Sequence, residues 1–211
     1  MVGEGVLHVF LQHPSVEKVL VINRRPCGVS HPKLEEIIHR DFFDLSPVQE
    51  KLAGYNACQF CLGVSSVGID KEEYFRLTHT LTLNFARTLL GHNKDMVFNY
   101  ISGVGTDSEE KAMMHWARIK GQTENDLMKM DFQDVYAFRP GFIKPMPGMK
   151  NTNPYYKYIK WLFPLGRKIY PKGFCTLEEL GLSMLKVSLK GYEKKVLEGT
   201  DIIKVAASGS Q

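Results

Sequence analysis

The sequence predicts an α/β protein with an open, doubly wound parallel sheet. Short apolar runs rich in β-branched residues alternate with longer segments of helical spacing, the pattern of successive strand–helix–strand units. The 211 residues can bury one core, and 44% hydrophobic with 24% charged residues is typical of globular proteins. No apolar run reaches the ~18–20 residues of a membrane span, and the first residues lack the features of a signal peptide.

The elements follow from local pattern in chain order. Residues 2–12 have helical spacing, with Val6, Val9 and Phe10 on one side. The next expected elements are a strand buried on both faces at 18–23, a strand at 34–38, a helix capped by Ser46 and a strand at 57–63. Then follow a long helix from Asp70 to Leu90 that Gly91 ends, a strand at 96–102, a helix at 108–130 and a strand at 134–139. A capping box at 176–179 begins the last helix, which ends near residue 190, and residues 206–211 form a loose tail.

Charge and cysteine usage exclude some classes of protein. The balance of 27 Lys and Arg against 23 Asp and Glu gives a net charge of +4, too small to indicate nucleic-acid binding. Cys58 and Cys61 form one Cys-x-x-Cys pair, but no second pair or His cluster completes a zinc site. We expect no metal and four reduced thiols in a cytoplasmic protein.

Motifs along the chain carry a resemblance to a known family. Gly3 opens the first helix, Ser102 ends a strand, Lys120 lies on the next helix, and Arg139 with Pro140 and Gly141 follows the strand after that. With these motifs the chain resembles the atypical short-chain dehydrogenase/reductases of the NAD(P)-dependent epimerase/dehydratase superfamily. It is similar to bacterial relatives of the oxidoreductase-like Tat-interacting protein. The resemblance covers nearly the whole chain and implies a Rossmann fold.

Members of this group begin with a strand and a Gly-x-x-Gly-x-x-Gly turn. Gly3 matches the third glycine, preceded here by Met1 and Val2. The resemblance therefore implies an N-terminally truncated domain without the first strand and first two glycines. Those glycines let backbone N–H groups approach the pyrophosphate, so their absence would weaken dinucleotide binding.

The tip of the next strand, Asn23-Arg24-Arg25, predicts which dinucleotide binds. In this fold an acid at the tip binds the adenosine ribose, whereas arginine binds a 2′-phosphate. No acid occurs between Lys18 and Lys33, and a guanidinium suits a phosphate, so NADP is favoured over NAD. A solvated basic turn is the alternative.

Further cofactor contacts are implied by the family pattern. Asp41 and Phe42 match its acid and hydrophobic pair beside the adenine. Gly63 and Val64 match the place where a small residue lets the ribose approach, although a glycine that merely ends a strand explains the same sequence. Pro140 and Gly141 match the turn over the nicotinamide, and Lys120 matches the lysine that holds its ribose.

The family's catalytic set is a serine and a Tyr-x-x-x-Lys motif, in which lysine lowers the tyrosine pKa and tyrosine transfers the proton. Ser102 and Lys120 match this set, but Trp116 occupies the tyrosine position. An indole N–H can donate a hydrogen bond but cannot exchange a proton near neutral pH. Tyr100 shares a strand face with Ser102 and is the candidate substitute acid, whereas His115 points elsewhere on its helix.

Composition divides the chain into a dinucleotide-binding core at 1–143, a basic aromatic cap on the substrate side at 144–175, and a C-terminal helix and tail at 176–211. The cap has seven basic residues and six aromatic ones, and no acid from Lys144 to Lys172. Three explanations stay open: a solvated substrate-side cap, a lid over an anionic or lipid-like small molecule, or docking on an acidic membrane surface. Basic and aromatic residues also suit single-stranded RNA, but no RNA-binding motif supports it.

The sequence therefore leaves competing functional hypotheses. The first is an NADP-dependent oxidoreductase acting on a carbonyl or alcohol, in which Ser102 orients the oxygen and the proton comes from Tyr100 or water. The second is a non-catalytic dinucleotide-binding module that senses redox state or forms a scaffold, which Trp116 favours. The third is a truncated chain that binds nothing tightly.

Overall fold

The computed structural model describes residues 1–149 and 163–209. The chain forms two compact units, the first made of Met1–Arg40 with Pro140–Gln211 and the second of Asp41–Arg139. No helix in the described ranges is both long enough and apolar enough to cross a membrane.

Strands and helices alternate along the chain, which confirms the α/β class. The elements in chain order are α1 (Val2–Gln12), β1 (Val19–Asn23), β2 (Leu34–Ile38), β3 (Ala57–Phe60), α2 (Lys71–Phe75), α3 (Leu81–His92), β4 (Val97–Ile101), α4 (His115–Met128), β5 (Asp134–Arg139), β6 (Phe142–Lys144), α5 (Phe163–Ile169), β7 (Phe174–Thr176), α6 (Leu177–Lys190), β8 (Val196–Glu198) and α7 (Gly199–Ala207). Short 3₁₀ helices occupy Gln49–Leu52 and Pro171–Gly173, and a π-helical turn at Arg76–Thr80 joins α2 to α3.

In the first unit, α1 packs closely against α6 because glycine lies at both contact points. A Cβ atom on Gly5 would stand 2.2 Å from Leu177 Cδ2, and one on Gly181 would stand 2.8 Å from Val9 Cγ2. Leu177 and Val9 are buried, so this contact forms part of the core. The strand pairs β1–β2 and β6–β7 of the same unit are parallel.

The second unit contains the parallel strands β3, β4 and β5, paired in that order. Strand β4 is hydrogen-bonded on both sides, and its residues from Val97 to Tyr100 are buried. The chain leaves β4 at Ser102, whose N–H donates to the Phe138 carbonyl at 2.9 Å. The sheet thus fixes Ser102 at the carboxyl end of β4, and side chains at the carboxyl ends of parallel strands commonly form binding sites.

The long helix predicted from Asp70 is confirmed at its start. Asp70 is the N-cap, and its Oδ1 accepts from the Glu73 N–H at 2.8 Å. The π-helical turn interrupts the helix, and α3 continues past Gly91 to His92. Gly91 therefore does not end the helix as expected.

The helix predicted at 108–130 begins seven residues late, at His115. The Asp107 carboxylate holds the preceding loop, because its Oδ2 accepts the backbone N–H groups of Lys111 and Ala112, each at 2.6 Å. These hydrogen bonds satisfy backbone donors outside a helix, which is the usual way that aspartate competes with helix formation.

Two other expectations in the first half of the chain are wrong. Ser46 caps no helix: its N–H donates to Asp44 Oδ1 at 3.0 Å, and the 3₁₀ helix begins only at Gln49. The residues of β1 are half-buried rather than buried on both faces. The reason is that β1 pairs only with β2 among the strands that the structure describes.

The capping box that begins α6 is confirmed. Glu179 N–H donates to Thr176 Oγ1 at 3.1 Å, and Thr176 N–H donates to Glu179 Oε2 at 2.8 Å. However, α6 is not the last helix, because β8 and α7 follow it and bury Leu197 and Ile202 completely. The loose tail expected at 206–211 is wrong at its start, since Ala206 and Ala207 belong to α7 and Ala206 is buried.

Much of the expected basic aromatic cap falls on residues 150–162, which lie outside the described residues. Those positions include Lys150, Lys157, Lys160, Tyr155, Tyr156, Tyr158 and Trp161. The predicted boundaries at 144 and 176 therefore stay a prediction.

Candidate functional site

Ser102 lies at the end of β4 with its hydroxyl committed to the protein. Its Oγ donates to Glu124 Oε1 on α4 and also lies 3.2 Å from the Phe138 carbonyl. Ser102 and Glu124 are both buried, with 5% and 1% of their surface exposed. A serine hydroxyl has only one proton to donate. Because this proton goes to an acceptor inside the protein, Ser102 has no donor left for a substrate carbonyl.

Glu124 is also paired with Arg139, the last residue of β5. Arg139 Nε donates to Glu124 Oε1 at 3.1 Å, and its Nη2 donates to the second carboxylate oxygen. The same Nη2 donates to Ser108 Oγ at 2.5 Å. This bidentate pair compensates a carboxylate that would otherwise be buried and alone.

Lys120 lies on α4, one turn before Glu124. Its ammonium donates to the Ser102 carbonyl oxygen, and burial lowers the Lys120 pKa while the Glu124 carboxylate opposes that change. Ser102 and Lys120, which the sequence singled out 18 residues apart, are thus in direct contact. Ser102, Lys120, Glu124 and Arg139 form what we call the buried polar cluster.

Trp116, at the expected tyrosine position, lies against the loop that follows β4. A Cβ atom on Gly105 would stand 3.2 Å from Trp116 Cη2, and Gly105 has a positive φ of 86°. Glycine at this position therefore leaves room for the indole and adopts a backbone conformation that other residues rarely adopt. Trp116 is half-buried and contributes no titratable group.

Tyr100 shares a face of β4 with Ser102 but is an unsuitable proton donor. Its side chain is 2% exposed, and burial raises the pKa of its phenol far above the ordinary value of a tyrosine. The geometry therefore argues against Tyr100 as the substitute acid. His115 also faces away, since its Nε2 lies 3.3 Å from the Lys71 carbonyl.

Glycine is required at position 121, next to Lys120, because the backbone of Asp107 passes very close to it. A Cβ atom there would stand 1.8 Å from the Asp107 carbonyl oxygen, which no side-chain movement can relieve. We expect Gly121→Ala to lower the free energy of unfolding by at least about 1–3 kcal/mol, the usual cost of overpacking. The matched control is Gly91→Ala on α3, where nothing lies within 4 Å and alanine should be neutral or stabilising. Chemical denaturation of both variants tests this, and equal midpoints would contradict it.

The cofactor candidates in the second unit are accessible in part. Asp41 Oδ1 accepts from the Phe43 N–H at 2.9 Å, and Phe42 stacks on Phe85 with ring centroids 6.3 Å apart. Gly63 is exposed, with no atom within 4 Å of the position of a Cβ. Half-buried Val64 follows it.

The cofactor candidates in the first unit start with Val2 and Gly3, the first two residues of α1. Pro140 and Gly141 are further cofactor candidates of this unit. A Cβ atom on Gly141 would stand 2.4 Å from the Gly173 carbonyl oxygen, so packing alone explains this glycine.

The tip of β1 exposes both arginines. Asn23 Nδ2 donates to Glu36 Oε1 at 2.8 Å, as does the Cys27 N–H, so the carboxylate of Glu36 holds the turn. Arg24 and Arg25 are exposed and have no hydrogen-bond or ion-pair partner among the described residues. Their guanidinium groups are therefore available to an anionic ligand.

All four cysteines carry free thiols. Cys175 is fully buried, and burial raises the pKa of its thiol to about 12. A thiol in this environment stays protonated and unreactive at neutral pH.

Sequence reasoning missed Glu124, Ser108 and Asp107. The only signal for Glu124 is its position four residues after Lys120, on the same helix face. That spacing is equally typical of an exposed ion pair, so the sequence does not reveal that the carboxylate is buried.

No protein-family profile matches the chain. It is 25% identical to Protein fmp52-1, mitochondrial, of Aspergillus oryzae over 227 aligned positions, covering 98% of this chain and 94% of that protein. It is 28% identical over 153 positions to the protein of the same name from Aspergillus terreus, covering 68% of this chain and 62% of that one.

Solved structures give a broader likeness. A UDP-N-acetylglucosamine 4-epimerase from Methanobrevibacter ruminantium matches 97% of this chain and 77% of its own, with a TM-score of 0.65 and 13% identity. A short chain dehydrogenase from Burkholderia cenocepacia in complex with NADP matches 98% and 88%, with a TM-score of 0.64 and 13% identity. The Bordetella bronchiseptica enzyme WbmF in complex with NAD+ matches 97% and 73%, with a TM-score of 0.62 and 17% identity. The chain therefore has the Rossmann-like α/β fold of the short-chain dehydrogenases and nucleotide-sugar epimerases, the fold class that its motifs predicted.

Proposed function

We propose that the protein binds a nicotinamide dinucleotide, with NADP preferred to NAD, and has weak or no carbonyl reductase activity of its own. Weak or absent activity is inferred from the buried polar cluster, because the Ser102 hydroxyl already donates inside the protein and Lys120 contacts the Ser102 backbone. Ser102 donates to Glu124, and Lys120 donates to the Ser102 carbonyl. Trp116 cannot replace the phenol that would transfer a proton.

Support for dinucleotide binding comes from the fold and from the β1 tip. Structural neighbours with this fold hold NADP or NAD+. The exposed Arg24 and Arg25 fit a phosphate monoester, and the open space at Gly63 fits close approach of a ribose. A bound dinucleotide supplies hydride chemistry, while this chain would bind its phosphate and orient it.

Nucleotide preference tests this proposal directly. We expect the protein to bind NADPH more tightly than NADH, and Arg24→Ala to reduce that preference by about tenfold, the scale of one charge-assisted hydrogen bond. Isothermal titration with both nucleotides measures it. Arg87→Ala, an exposed arginine on α3, is the matched control and should leave the preference unchanged. Equal affinities for NADPH and NADH in the parent protein would contradict the preference.

The second candidate function is an active oxidoreductase on a carbonyl or alcohol. What favours it is the direct contact of Ser102 with Lys120, which keeps two of the three groups of the family's catalytic set together. In that case the proton would come from water rather than from Tyr100, because the phenol is buried. Substitution at Trp116 separates the two candidates.

The remaining features of the proposal concern partners and compartment. The ligand besides the dinucleotide would be a small molecule, anionic or lipid-like, and no nucleic acid is proposed. The cytoplasm is the proposed compartment, whereas the name of the Aspergillus oryzae relative places that protein in mitochondria. Fractionation of cells that produce the protein at its natural level decides between the two.

A further inference from the structure

We propose that the first unit docks reversibly on acidic lipid bilayers through a face where exposed apolar side chains of α5 lie beside lysines. This docking face consists of Leu165, Lys168, Ile169, Tyr170 and Lys172. The inference is independent of dinucleotide binding, since none of these residues belongs to the candidate site.

The other side of α5 fixes the helix to its own unit. Phe163 is 5% exposed, and a Cβ atom on Gly166 would stand 2.3 Å from Phe174 Cζ. Arg167 makes a bidentate pair with Glu179, at 2.7 and 2.5 Å. Because these contacts hold one side of α5 against its unit, the residues on the opposite side of the helix face outward and form the docking face.

The outward side is apolar where a solvated helix would be polar. Leu165 is 54% exposed, Ile169 73% and Tyr170 51%. Leu165 and Ile169 are four residues apart and therefore adjacent on the helix surface. Tyr170 follows Ile169 directly in the chain, and its ring lies so close to Gly173 that a Cβ there would stand 2.4 Å from Tyr170 Cδ1. Contiguous exposed apolar side chains with a tyrosine beside them are typical of a surface that enters the membrane interface.

Lysines border this apolar patch. Lys168 is exposed and has no ion-pair partner among the described residues. Lys172 lies 3.3 Å from Glu198, and its side chain is still 58% exposed. Arg167 is neutralised by Glu179 and belongs to the anchored side. Lys168 is therefore the main free cation of the docking face.

The charge of the two units differs in sign. The first unit has 17 Lys and Arg against 9 Asp and Glu, a formal charge of +8, whereas the second has 10 against 14, a formal charge of −4. An acidic surface therefore attracts the first unit and repels the second. The net charge of +4 conceals this separation.

The chemistry of the face favours lipid over other acidic partners. Leu165 and Ile169 are aliphatic and can insert between acyl chains, but they offer no planar surface for stacking nucleic-acid bases. A single free lysine beside them is enough to favour anionic headgroups without binding one phosphate specifically. The predicted occupant is a bilayer that contains anionic phospholipid.

Co-sedimentation of the full chain with vesicles tests the proposal. We expect binding to phosphatidylcholine vesicles that contain phosphatidylserine, weak binding to phosphatidylcholine alone, and release at high salt. Ile169→Ala should weaken binding about tenfold by removing inserted apolar surface. Lys168→Ala should weaken it about fivefold, the contribution of one lysine near an acidic membrane.

The matched controls are Val67→Ala and Lys94→Ala, at exposed positions of the second unit. Both should bind vesicles like the parent protein. No binding to acidic vesicles, or equal loss of binding in the controls, would overturn the proposal. An Ile169→Ala variant that changes NADPH affinity but not vesicle binding would also overturn the proposal. That result would mean that the docking face contacts bound NADPH rather than a membrane. The NADPH titration is read separately, so failure of one proposal does not decide the other.

Discussion

Replacing Glu124 by alanine is expected to lower the free energy of unfolding by about 3–5 kcal/mol, the usual cost of removing one member of a buried ion pair. The carboxylate is 1% exposed and accepts from both Ser102 and Arg139. Its loss leaves the Arg139 guanidinium, which is 12% exposed, beside a cavity without its counter-ion. Urea denaturation followed by circular dichroism measures the change.

The Glu73–Arg76 pair provides the control for this prediction. It is also a Glu–Arg pair, at 2.7 Å, but it lies on the surface with side chains 37% and 54% exposed. Glu73→Ala should therefore cost less than about 1 kcal/mol. Glu124→Gln keeps the shape of the side chain, and its amide oxygen can still accept from Ser102. Its loss of unfolding free energy should therefore lie between those of Glu124→Ala and Glu73→Ala. Similar losses for Glu124→Ala and Glu73→Ala would contradict the role assigned to the buried polar cluster.

Elements with complete local signals were predictable from the sequence. The α6 start depends on Thr176 and Glu179, three residues apart, whose hydrogen bonds need nothing from the rest of the chain. The start of α4 depends instead on the Asp107 carboxylate, which binds N–H groups up to five residues ahead and delays the helix. Helical spacing at 108–114 cannot reveal this competition, because the same residues would also suit a first helical turn.

The end of the chain was not predictable for a different reason. Strand β8 has only three residues, and α7 has nine. Segments this short give weak periodicity on their own and form because Leu197 and Ile202 are buried by tertiary packing.

The candidate site was predictable at the positions that family motifs specify and not beyond them. Ser102 and Lys120 follow from the motif, and the structure brings them into contact. Glu124 lies outside the motif, and its buried carboxylate is paired with Arg139, which reaches it from strand β5. Strand alternation places Tyr100 on the same face as Ser102, but it says nothing about the depth of burial that raises the pKa of the Tyr100 phenol.

Restoring tyrosine at position 116 is the second change with a large expected effect. Trp116→Tyr would place a phenol one turn from Lys120, whose ammonium can lower the phenol pKa. A positioned proton donor contributes ~10²–10⁴-fold to turnover, so a reductase that lost only this group should gain activity on that scale. The measurement is NADPH oxidation by parent and variant across a panel of aldehydes and ketones.

Trp116→Phe is the matched control, because phenylalanine has the ring of tyrosine without its hydroxyl. Both variants vacate the space that the indole fills beside Gly105, so any difference between them reports on proton transfer rather than on packing. A gain in Trp116→Tyr that disappears in Trp116→Tyr with Lys120→Ala would assign the effect to the phenol–lysine pair. Equal activity in Trp116→Tyr and Trp116→Phe would support the binding module instead, since Ser102 would then remain engaged with Glu124. A parent protein with ordinary turnover would contradict the proposal that Trp116 disables acid catalysis, and would require a proton path through water.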